Sequence, residues 1–302
     1  MRLATNGQIF MAILDIFLLI LVTIIWGVNF AIAKLGMDQL PPLFLSAMRF
    51  SVVAFAIFFI PRPKVDWRII FGIAIFIGVI KFSLLFVALD IGFGAGLSSV
   101  VVQGQVFFTI ILAFLLYGER LNLFQIIGLI IGFAGLIIMG FDEGDSFNLT
   151  GFFMVVLAAI CWAMANMFFR KAGNATAVAV IVWASLIAAG PIWILSFVFE
   201  GPVRIADAFM NFDAMGIFAV LYVSMLSTLF CYSFWGKMLS KYRAADVTPF
   251  ALLIPVSGLL GGIFLLNESI STLAQIGIFV IMAGLGISVI GGRISRKNKL
   301  AN

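Results

Sequence analysis

Ten long apolar runs, separated by short polar breaks, account for almost the whole chain of 302 residues. A helix that crosses a bilayer needs about 20 predominantly apolar residues. The runs span approximately residues 12–33, 43–60, 69–89, 93–117, 122–140, 150–170, 177–199, 214–236, 246–266 and 271–291. Only 10% of the residues are charged, whereas soluble domains contain about 25%. We therefore predict an all-α membrane protein with ten transmembrane helices.

The 18 lysine and arginine residues are distributed unevenly among the breaks. If the chain crosses the membrane ten times, Lys34 and Arg204 fall in loops on the side opposite to the N-terminus. Arg49 and Lys81 fall within helices, and the other 14 lie on the side of the N-terminus. Because Lys and Arg accumulate in cytoplasmic loops, we expect both termini in the cytoplasm and a multi-pass protein of a bacterial inner membrane.

Two short patterns each occur twice along the chain. One is a glutamate with glycines nine and sixteen residues later, and its two copies are 149 residues apart. The other is a tryptophan, an asparagine and a basic residue. The copies are Glu119, Gly128 and Gly135 with Glu268, Gly277 and Gly284, and Trp26, Asn29 and Lys34 with Trp162, Asn166 and Arg170. They predict two five-helix repeats, residues 1–140 and 141–302. Five is odd, so the second repeat must be inverted, an arrangement typical of secondary transporters.

Five polar or amphipathic side chains from the first four predicted helices fall at similar depth in the outer half of the membrane. At 1.5 Å per residue, Arg49, Lys81 and Gln103 lie about 9 to 12 Å from the outer ends of their helices. Trp26 and Asn29 lie about 10 and 6 Å from theirs. Ionisable groups inside a membrane face a cavity or a partner as a rule. We predict that these five side chains bind substrate.

Each of these residues has a plainer alternative. Arg49 can extend towards the interface, and Asn29 can join two helices by a hydrogen bond. Gln103 and Gln105 are two residues apart, about 200° around a helix, so both cannot face one cavity. One of the two glutamines is therefore expected to bond between helices.

The second half of the chain contributes a matching set of candidates. Trp162 and Asn166 lie towards the inner end of the sixth predicted helix, and Trp183 and Tyr222 lie within the next two helices. We include all four in the predicted substrate site. Aromatic residues in membranes also serve packing and interfacial anchoring, which is the alternative for the three aromatic members.

Prolines predict where the structure could bend. Pro249 and Pro255 fall in the ninth helix, where proline removes an intrahelical hydrogen bond. We predict that this helix acts as a gate.

Glu119 and Glu268 precede the fifth and tenth helices, and we expect the N-termini of those helices to stabilise their carboxylates. Asp15 is interpreted as an interfacial carboxylate, with a role in proton coupling as the alternative.

The composition excludes several other classes of protein. The chain has no histidine, which removes imidazole metal ligands and a Ser-His-Asp triad. Cys161 and Cys231 both lie in apolar runs, where cysteine usually packs as a small apolar residue. We expect no metal, no cofactor and no enzymatic activity. The basic residues form no face typical of nucleic-acid binding, so no nucleic-acid partner is expected.

Several stretches resemble the EamA-type family of drug/metabolite transporters over nearly the whole chain. They are Trp26-Gly27-Val28-Asn29-Phe30, Gly118-Glu119-Arg120-Leu121, the segment Trp162 to Lys171, and Asn267-Glu268. Further stretches, including Val102-Gln103-Gly104-Gln105 and Leu253-Ile254-Pro255-Val256, are similar to the branch that exports O-acetylserine and cysteine. The resemblance implies a cavity lined mainly by helices 1, 3, 4, 6, 8 and 9.

The resemblance and the residue pattern together predict a secondary transporter. We expect export of amino acids or related small metabolites, cysteine-like or O-acetylserine-like, by alternating access. The alternatives are another substrate class, such as a drug, a purine or a sugar-derived metabolite, and a channel-like facilitator. The expected partners are the substrate and the lipid bilayer, and the expected assembly is a monomer or a weak homodimer.

Overall fold

A computed structural model describes residues 11–173, 176–242 and 244–291 of the chain. Within these ranges all regular structure is helical, and ten apolar helices follow one another along the sequence. They are α1 (Ile13–Met37), α2 (Pro42–Phe58), α3 (Trp67–Asp90), α4 (Ala95–Tyr117), α5 (Leu123–Gly140), α6 (Leu149–Lys171), α7 (Ala177–Phe199), α8 (Ala214–Lys241), α9 (Thr248–Leu266) and α10 (Thr272–Val289). Among the described helices, α2 is shorter and the other nine are long and apolar enough to cross a membrane. The predicted all-α fold with ten helices is confirmed.

Short connections join the helices, and polar side chains mark where several helices begin. Asn122 and Gln125 form a reciprocal capping box at the start of α5, which satisfies backbone N–H groups that have no partner within the helix. Ser271 caps α10 through the N–H of Ala274. A short helix, Pro202–Met210, lies in the α7–α8 connection, and another, Ala244–Val247, precedes α9.

Large apolar side chains cover the outside of the bundle. Phe264 on α9 and Phe279 on α10 are each 75% exposed, which would be unfavourable in water over so large a surface. A bilayer is the solvent that such a surface requires. The chain is a multi-pass membrane protein.

Irregular helical turns occur at corresponding places in the two halves. Both α3 and α8 contain a π-helical segment, Ala74–Lys81 in one and Tyr222–Phe230 in the other. In α4 a 3-10 turn spans Val102–Gly104, and α9 begins with the 3-10 turn Thr248–Leu252. Such segments interrupt the regular hydrogen-bond pattern and often mark functional sites or hinges.

Small residues allow the closest helix contacts. A methyl group at Gly284 of α10 would lie 2.6 Å from the backbone nitrogen of Gly132 on α5. A methyl group at Gly258 of α9 would lie 2.3 Å from the side chain of Ser99 on α4. Because no side chain fits there, the helix backbones approach directly. The main helix pairs are α1 with α8 and α9, α2 with α7, α3 with α6 and α7, α4 with α6 and α9, and α5 with α10.

Candidate functional site

Two buried cations share one aromatic ring in the middle of the bundle. Arg49 of α2 is 2% exposed, and Lys81 of α3 is 5% exposed. The guanidinium carbon of Arg49 lies 3.9 Å from the ring centre of Phe82, and the ammonium nitrogen of Lys81 lies 3.5 Å from the same point. The two charges therefore cannot be farther apart than these two distances combined. We call Arg49, Lys81, Phe82, Trp162 and Thr228 the cation cluster.

The rest of the cation cluster comes from α6 and α8. The ring centre of Trp162 lies 4.5 Å from the ammonium of Lys81. The Thr228 hydroxyl accepts hydrogen bonds from Nε and Nη2 of Arg49, at 3.2 and 2.9 Å. It donates its own proton to the carbonyl of Val223, at 2.8 Å. Four helices, α2, α3, α6 and α8, thus meet at these two charges.

Two residues of the cation cluster, Lys81 and Thr228, belong to the π-helical segments. Lys81 is the last residue of the π-helical segment in α3, and Phe82 follows it directly. Thr228 lies inside the corresponding segment of α8 and bonds the carbonyl five residues before it. A π turn shifts the side chains that follow it around the helix. Both segments therefore contribute to placing site residues towards the centre.

Neither cation of the cluster forms an ion pair with a residue in the described part of the chain. All 13 carboxylate side chains belong to the described part of the chain, and none has an oxygen within 4.0 Å of Arg49 or Lys81. Nη1 of Arg49 and the side-chain oxygen of Asn29 are buried without a hydrogen-bond partner among the described residues. Buried charge that is left unpaired is unfavourable. Arg49 and Lys81 are therefore suited to receive an anionic group, whereas the unpaired Asn29 oxygen requires a hydrogen-bond donor.

A polar pocket of about 300 Å³ opens at one end of the bundle, where α4 ends and α5 begins. Asn166 lines it, and the side-chain nitrogen of Asn166 donates to Gln105 at 2.8 Å and to Thr109 at 3.0 Å. Asn166 stands four residues after Trp162, on the same face of α6 and about 6 Å along its axis. One lining residue of the pocket, Asn166, thus lies one helical turn from Trp162 of the cation cluster.

The other predicted site residues mostly join helices to one another. Trp26 donates from its indole nitrogen to the carbonyl of Ser227 at 2.8 Å, and Tyr222 donates to the carbonyl of Ile25 at 3.0 Å. Both contacts tie α1 to α8. Gln103 donates to the carbonyl of Ala251 at 3.3 Å, between α4 and α9.

The predicted members of the site therefore separate into groups. Arg49, Lys81 and Trp162 lie together in the cation cluster, and Asn166 lies in the pocket beside it. Trp183 donates to the carbonyl of Ile60 at 3.1 Å, near the ends of α2 and α7. A role for any of these side chains in binding substrate stays a prediction.

Phe82 and Thr228 were not singled out by the sequence, whereas Gln105 was weighed only as an alternative to Gln103. Phe82 is one of 34 phenylalanines in an apolar chain, so its type and position give it no distinction. The one available signal was its place directly after the intramembrane Lys81.

The predicted gate helix is broken where proline occurs. Pro249 lies in the 3-10 turn at the start of α9, and Pro255 is buried near the beginning of the α-helical part. The carbonyl of Pro255 accepts a bond from Ser99 of α4 at 3.3 Å. The break is present, and its movement as a gate stays a prediction.

Asp15 is paired with Lys241 at 2.6 Å and accepts a hydrogen bond from the Tyr242 hydroxyl at 2.5 Å.

The two repeated glutamates do not cap α5 and α10, and that expectation was wrong. Asn122 and Ser271 cap those helices instead. Glu268 instead accepts the N–H groups of Ala95 and Gly96, at 2.5 and 2.9 Å, at the start of α4, which packs beside α9. Tertiary contact places these donors closer than those of the helix that follows in sequence.

Glu119 behaves differently from Glu268. Its carboxylate pairs with Arg170 of α6 at 2.5 Å, and both side chains are about half exposed. Glu119 and Arg170 also line the 300 Å³ pocket. We call the two ends of the bundle the Glu268 end and the Glu119 end.

Further contacts close the Glu268 end. The Glu200 carboxylate accepts the N–H groups of Leu43 and Phe44 at the start of α2, at 2.6 and 2.9 Å. Burial raises the pKa of Glu200. The Lys34 ammonium donates to the carbonyl of Leu89, joining the ends of α1 and α3. Side chains therefore satisfy several helix ends here.

A second cavity, of about 800 Å³, lies between α5 and α6 on the outside of the bundle. Asp142 and Glu143 are among the residues that line it. Its lining also includes six phenylalanines: Phe108, Phe133, Phe141, Phe147, Phe152 and Phe153. This apolar groove offers few groups to orient a polar metabolite. Among the described residues, no three His, Cys, Asp or Glu side chains are grouped to hold a metal ion.

Comparison with known proteins identifies relatives over the whole chain. Probable amino-acid metabolite efflux pumps of Salmonella typhimurium and Escherichia coli are 35% and 34% identical to it. These alignments cover 95% and 94% of this chain and 98% of each relative. An uncharacterized transporter of Bacillus subtilis is 26% identical, over 88% of this chain and 94% of its own.

The fold is also found among solved structures. One crystal structure, described only as that of a protein, matches with a TM-score of 0.60 at 17% sequence identity. The match covers 90% of this chain and 95% of the other. The model of the EamA-like transporter family matches residues 13–141 and again residues 149–290. The chain therefore belongs to the EamA-like transporter family, as the sequence motifs predict.

Proposed function

We propose that this protein exports amino-acid metabolites across a bacterial inner membrane, by alternating access to the cation cluster. The observation that carries the proposal is the pair of buried cations, Arg49 and Lys81, which form no ion pair with any described carboxylate side chain. A substrate carboxylate would supply the missing negative charge, and in a low dielectric this attraction is strong. The names of the two relatives in Salmonella and Escherichia support amino-acid metabolites as the substrate class.

The proposal includes two inverted repeats, residues 1–140 and 141–302. The family model matches the chain twice, and the helix pairs support a two-fold relation. An axis that exchanges each helix with the fifth one after it would convert the α1–α9 pair into the α6–α4 pair, and both pairs occur. It would also place α2 against α7 and α5 against α10, as observed.

The proposed orientation places the Glu119 end and both termini in the cytoplasm. Support comes from the 14 basic residues on that side of the sequence. Several of these, Arg2, Arg243 and the C-terminal Arg293, Arg296, Lys297 and Lys299, lie outside the described residues. With this orientation the described conformation is closed towards the outside, and a metabolite would enter from the cytoplasm through the 300 Å³ pocket.

Movement between the two states would use the irregular segments. The π-helical segments of α3 and α8 and the 3-10 turns of α4 and α9 lack regular helical hydrogen bonds. They therefore resist bending less than the helices around them. The two halves would rock about the cation cluster, so that one end opens when the other closes.

Counterflow in proteoliposomes tests the proposed function. Purified protein is reconstituted, loaded with unlabelled cysteine, O-acetylserine or another amino-acid metabolite, and assayed for uptake of the labelled compound. We expect saturable counterflow that Arg49→Ala and Lys81→Ala each reduce at least tenfold. Arg204→Ala, which removes an exposed cation from the short helix between α7 and α8, is the matched control and should leave the flux unchanged.

The possible outcomes distinguish an incorrect binding site from an incorrect function. Unchanged flux in both Arg49→Ala and Lys81→Ala would show that transport does not depend on the cation cluster. Absence of counterflow by folded, monodisperse protein for every amino-acid metabolite would refute the proposed substrate class. A single-channel conductance would replace the transporter by a channel-like facilitator.

A further inference from the structure

The charge balance of the cation cluster points to the net charge of the substrate. Arg49 and Lys81 bring two positive charges within reach of one ring, Phe82, and among the described residues no carboxylate side chain lies within 4.0 Å of either. The contacts they do make are with the aromatic faces of Phe82 and Trp162 and with the hydroxyl of Thr228. Such contacts offset only part of the cost of burying a charge.

A zwitterionic amino acid would satisfy this site poorly. Its carboxylate would pair with one cation, but its ammonium is only one carbon away and would add a third positive charge. The cluster has no carboxylate to receive that ammonium. The Thr228 oxygen already accepts two bonds from Arg49 and donates to Val223.

We infer that the substrate is an amino-acid metabolite of net negative charge, in which the α-amine is acylated or absent. This inference rests on the proposed function and concerns the same site. The carboxylate of such a metabolite would lie against Nη1 of Arg49, the atom without a partner, and the ammonium of Lys81. No ammonium would then oppose the two cations, and an acyl group would find the apolar faces of Phe82 and Trp162 beside it.

The net charge of the substrate also determines what drives transport. A cell interior that is electrically negative expels an anion, and for a singly charged ion about 59 mV corresponds to a tenfold ratio of concentrations. Export of an anion would therefore need no coupling ion. Asp15 is paired with Lys241 and hydrogen-bonded to Tyr242. If the membrane potential drives export, transport does not require proton exchange through Asp15.

Matched pairs of substrates test the inference with purified full-length protein in liposomes. The probes are labelled alanine, S-methylcysteine, leucine and phenylalanine, each compared with its N-acetyl derivative. We expect at least one N-acetyl compound to show counterflow ten times faster than its parent amino acid. At steady state, the ratio of its concentrations inside and outside the liposomes should change tenfold for each 59 mV of potassium diffusion potential. This concentration ratio does not depend on the orientation in which the protein is inserted.

Two variants connect the preference to the cluster. Lys81→Gln should reduce the preference for the acylated compound at least fivefold, because one cation alone can pair with the carboxylate of a zwitterion. Lys81→Arg, which keeps the charge, should retain the preference. Equal loss in both variants would mean that the lysine shape rather than its charge is required, and would count against the inference.

The results distinguish this inference from the function on which it rests. If the free amino acids are transported as fast as the N-acetyl compounds or faster, and potential has no effect, the inference is wrong and the proposed function stands. If neither class shows saturable counterflow by folded protein, both are wrong.

Discussion

The two ends of the bundle carry equivalent glutamates in different surroundings. At the Glu268 end, the carboxylate holds the first N–H groups of α4 from the opposite half of the chain. At the Glu119 end, the corresponding carboxylate is half exposed and pairs with Arg170. Both glutamates thus contact the opposite half of the chain, Glu268 by hydrogen bonds to the start of a helix and Glu119 by a half-exposed ion pair.

The backbone geometry around the two glutamates is alike, so it does not cause the difference. Asn267 and Gly118, the residues before them, are both left-handed, with φ of 54° and 65°. The N–H of Glu268 bonds the carbonyl of Gly262, and that of Glu119 bonds the carbonyl of Ala113. Both helices therefore end in the same kind of turn.

The residues beside the two carboxylates differ. Glu268 fits between Gly262 and Gly96, and a methyl group at Gly262 would lie 2.2 Å from its Oε2. The positions 149 residues away are Ala113 and Ala245. Two glycines at the Glu268 end thus correspond to two alanines at the Glu119 end. The comparison suggests a hypothesis for the Glu268 end alone, that glycine at positions 96 and 262 lets the carboxylate reach the start of α4.

The largest expected effect comes from removing the carboxylate at the Glu268 end. Glu268→Ala deletes two charge-assisted hydrogen bonds, together worth about 3 kcal/mol or more. Amide hydrogen exchange of the first turn of α4 should therefore become about 100-fold faster, since 1.4 kcal/mol is about tenfold. Mass spectrometry of the peptide that covers Ala95 and Gly96 measures it.

The control for that variant is Glu143→Ala, which removes an exposed carboxylate at the same end of the bundle. It should leave the exchange of α4 unchanged. Equal acceleration in the two variants would mean that net charge at this end, rather than the contact of Glu268, protects the helix.

Adding a methyl group at Gly262 should have the next largest effect. Gly262→Ala would bring Cβ within 2.2 Å of the Glu268 carboxylate and 2.9 Å of the Gly96 nitrogen. We expect the loss of one of the two bonds, about 1.5 kcal/mol, and hence about tenfold faster exchange at the start of α4. The Glu268 end would then resemble the Glu119 end.

Gly190→Ala is the matched substitution for comparison. Gly190 also lies within a helix, and a methyl group there would have no atom within 4 Å. Because alanine favours helix by about 0.5–1 kcal/mol, this variant should be neutral or slightly stabilising. If Gly262→Ala behaves in the same way, the carboxylate contact does not depend on the glycine.

Much of the fold could be predicted from the sequence, because a bilayer imposes a simple rule on length and polarity. The ten predicted runs agree with the ten helices to within a few residues. The depth of Arg49 and Lys81, obtained from helix rise alone, correctly brought the two cations together.

What the sequence could not provide depends on contacts between distant residues. A π-helical segment such as Ala74–Lys81 is as apolar as its neighbours, so no periodicity reveals it. Glu268 was assigned to the helix that follows it, whereas its partner Gly96 is 172 residues away. Local rules favour the nearest helix end, and only the packed bundle determines which end is closer.

A glycine at the Glu119 end tests the comparison in the opposite direction. Ala113→Gly would open space beside Glu119, as Gly262 does for Glu268. We expect about threefold slower hydrogen exchange in the short helix Ala244–Val247, since glycine in a helix costs about 0.5–1 kcal/mol and offsets part of the gain. Adding Glu119→Ala should abolish the protection, and protection that persists would exclude the carboxylate as its cause.

The smallest effect is expected from the ion pair that Glu119 makes now. Arg170→Gln removes a contact of 2.5 Å, but the side chains of Arg170 and Glu119 are 46% and 49% exposed. Exposed ion pairs contribute about 0–1 kcal/mol, so the unfolding temperature should fall by no more than a few degrees. The difference from wild type should vanish in 1 M salt, where charges are screened beyond about 3 Å. A large loss of stability that persists in salt would mean that Glu119 holds its end as firmly as Glu268 holds the other. The contrast between the two ends would then reflect different partners of equal strength, and glycine would not be its cause.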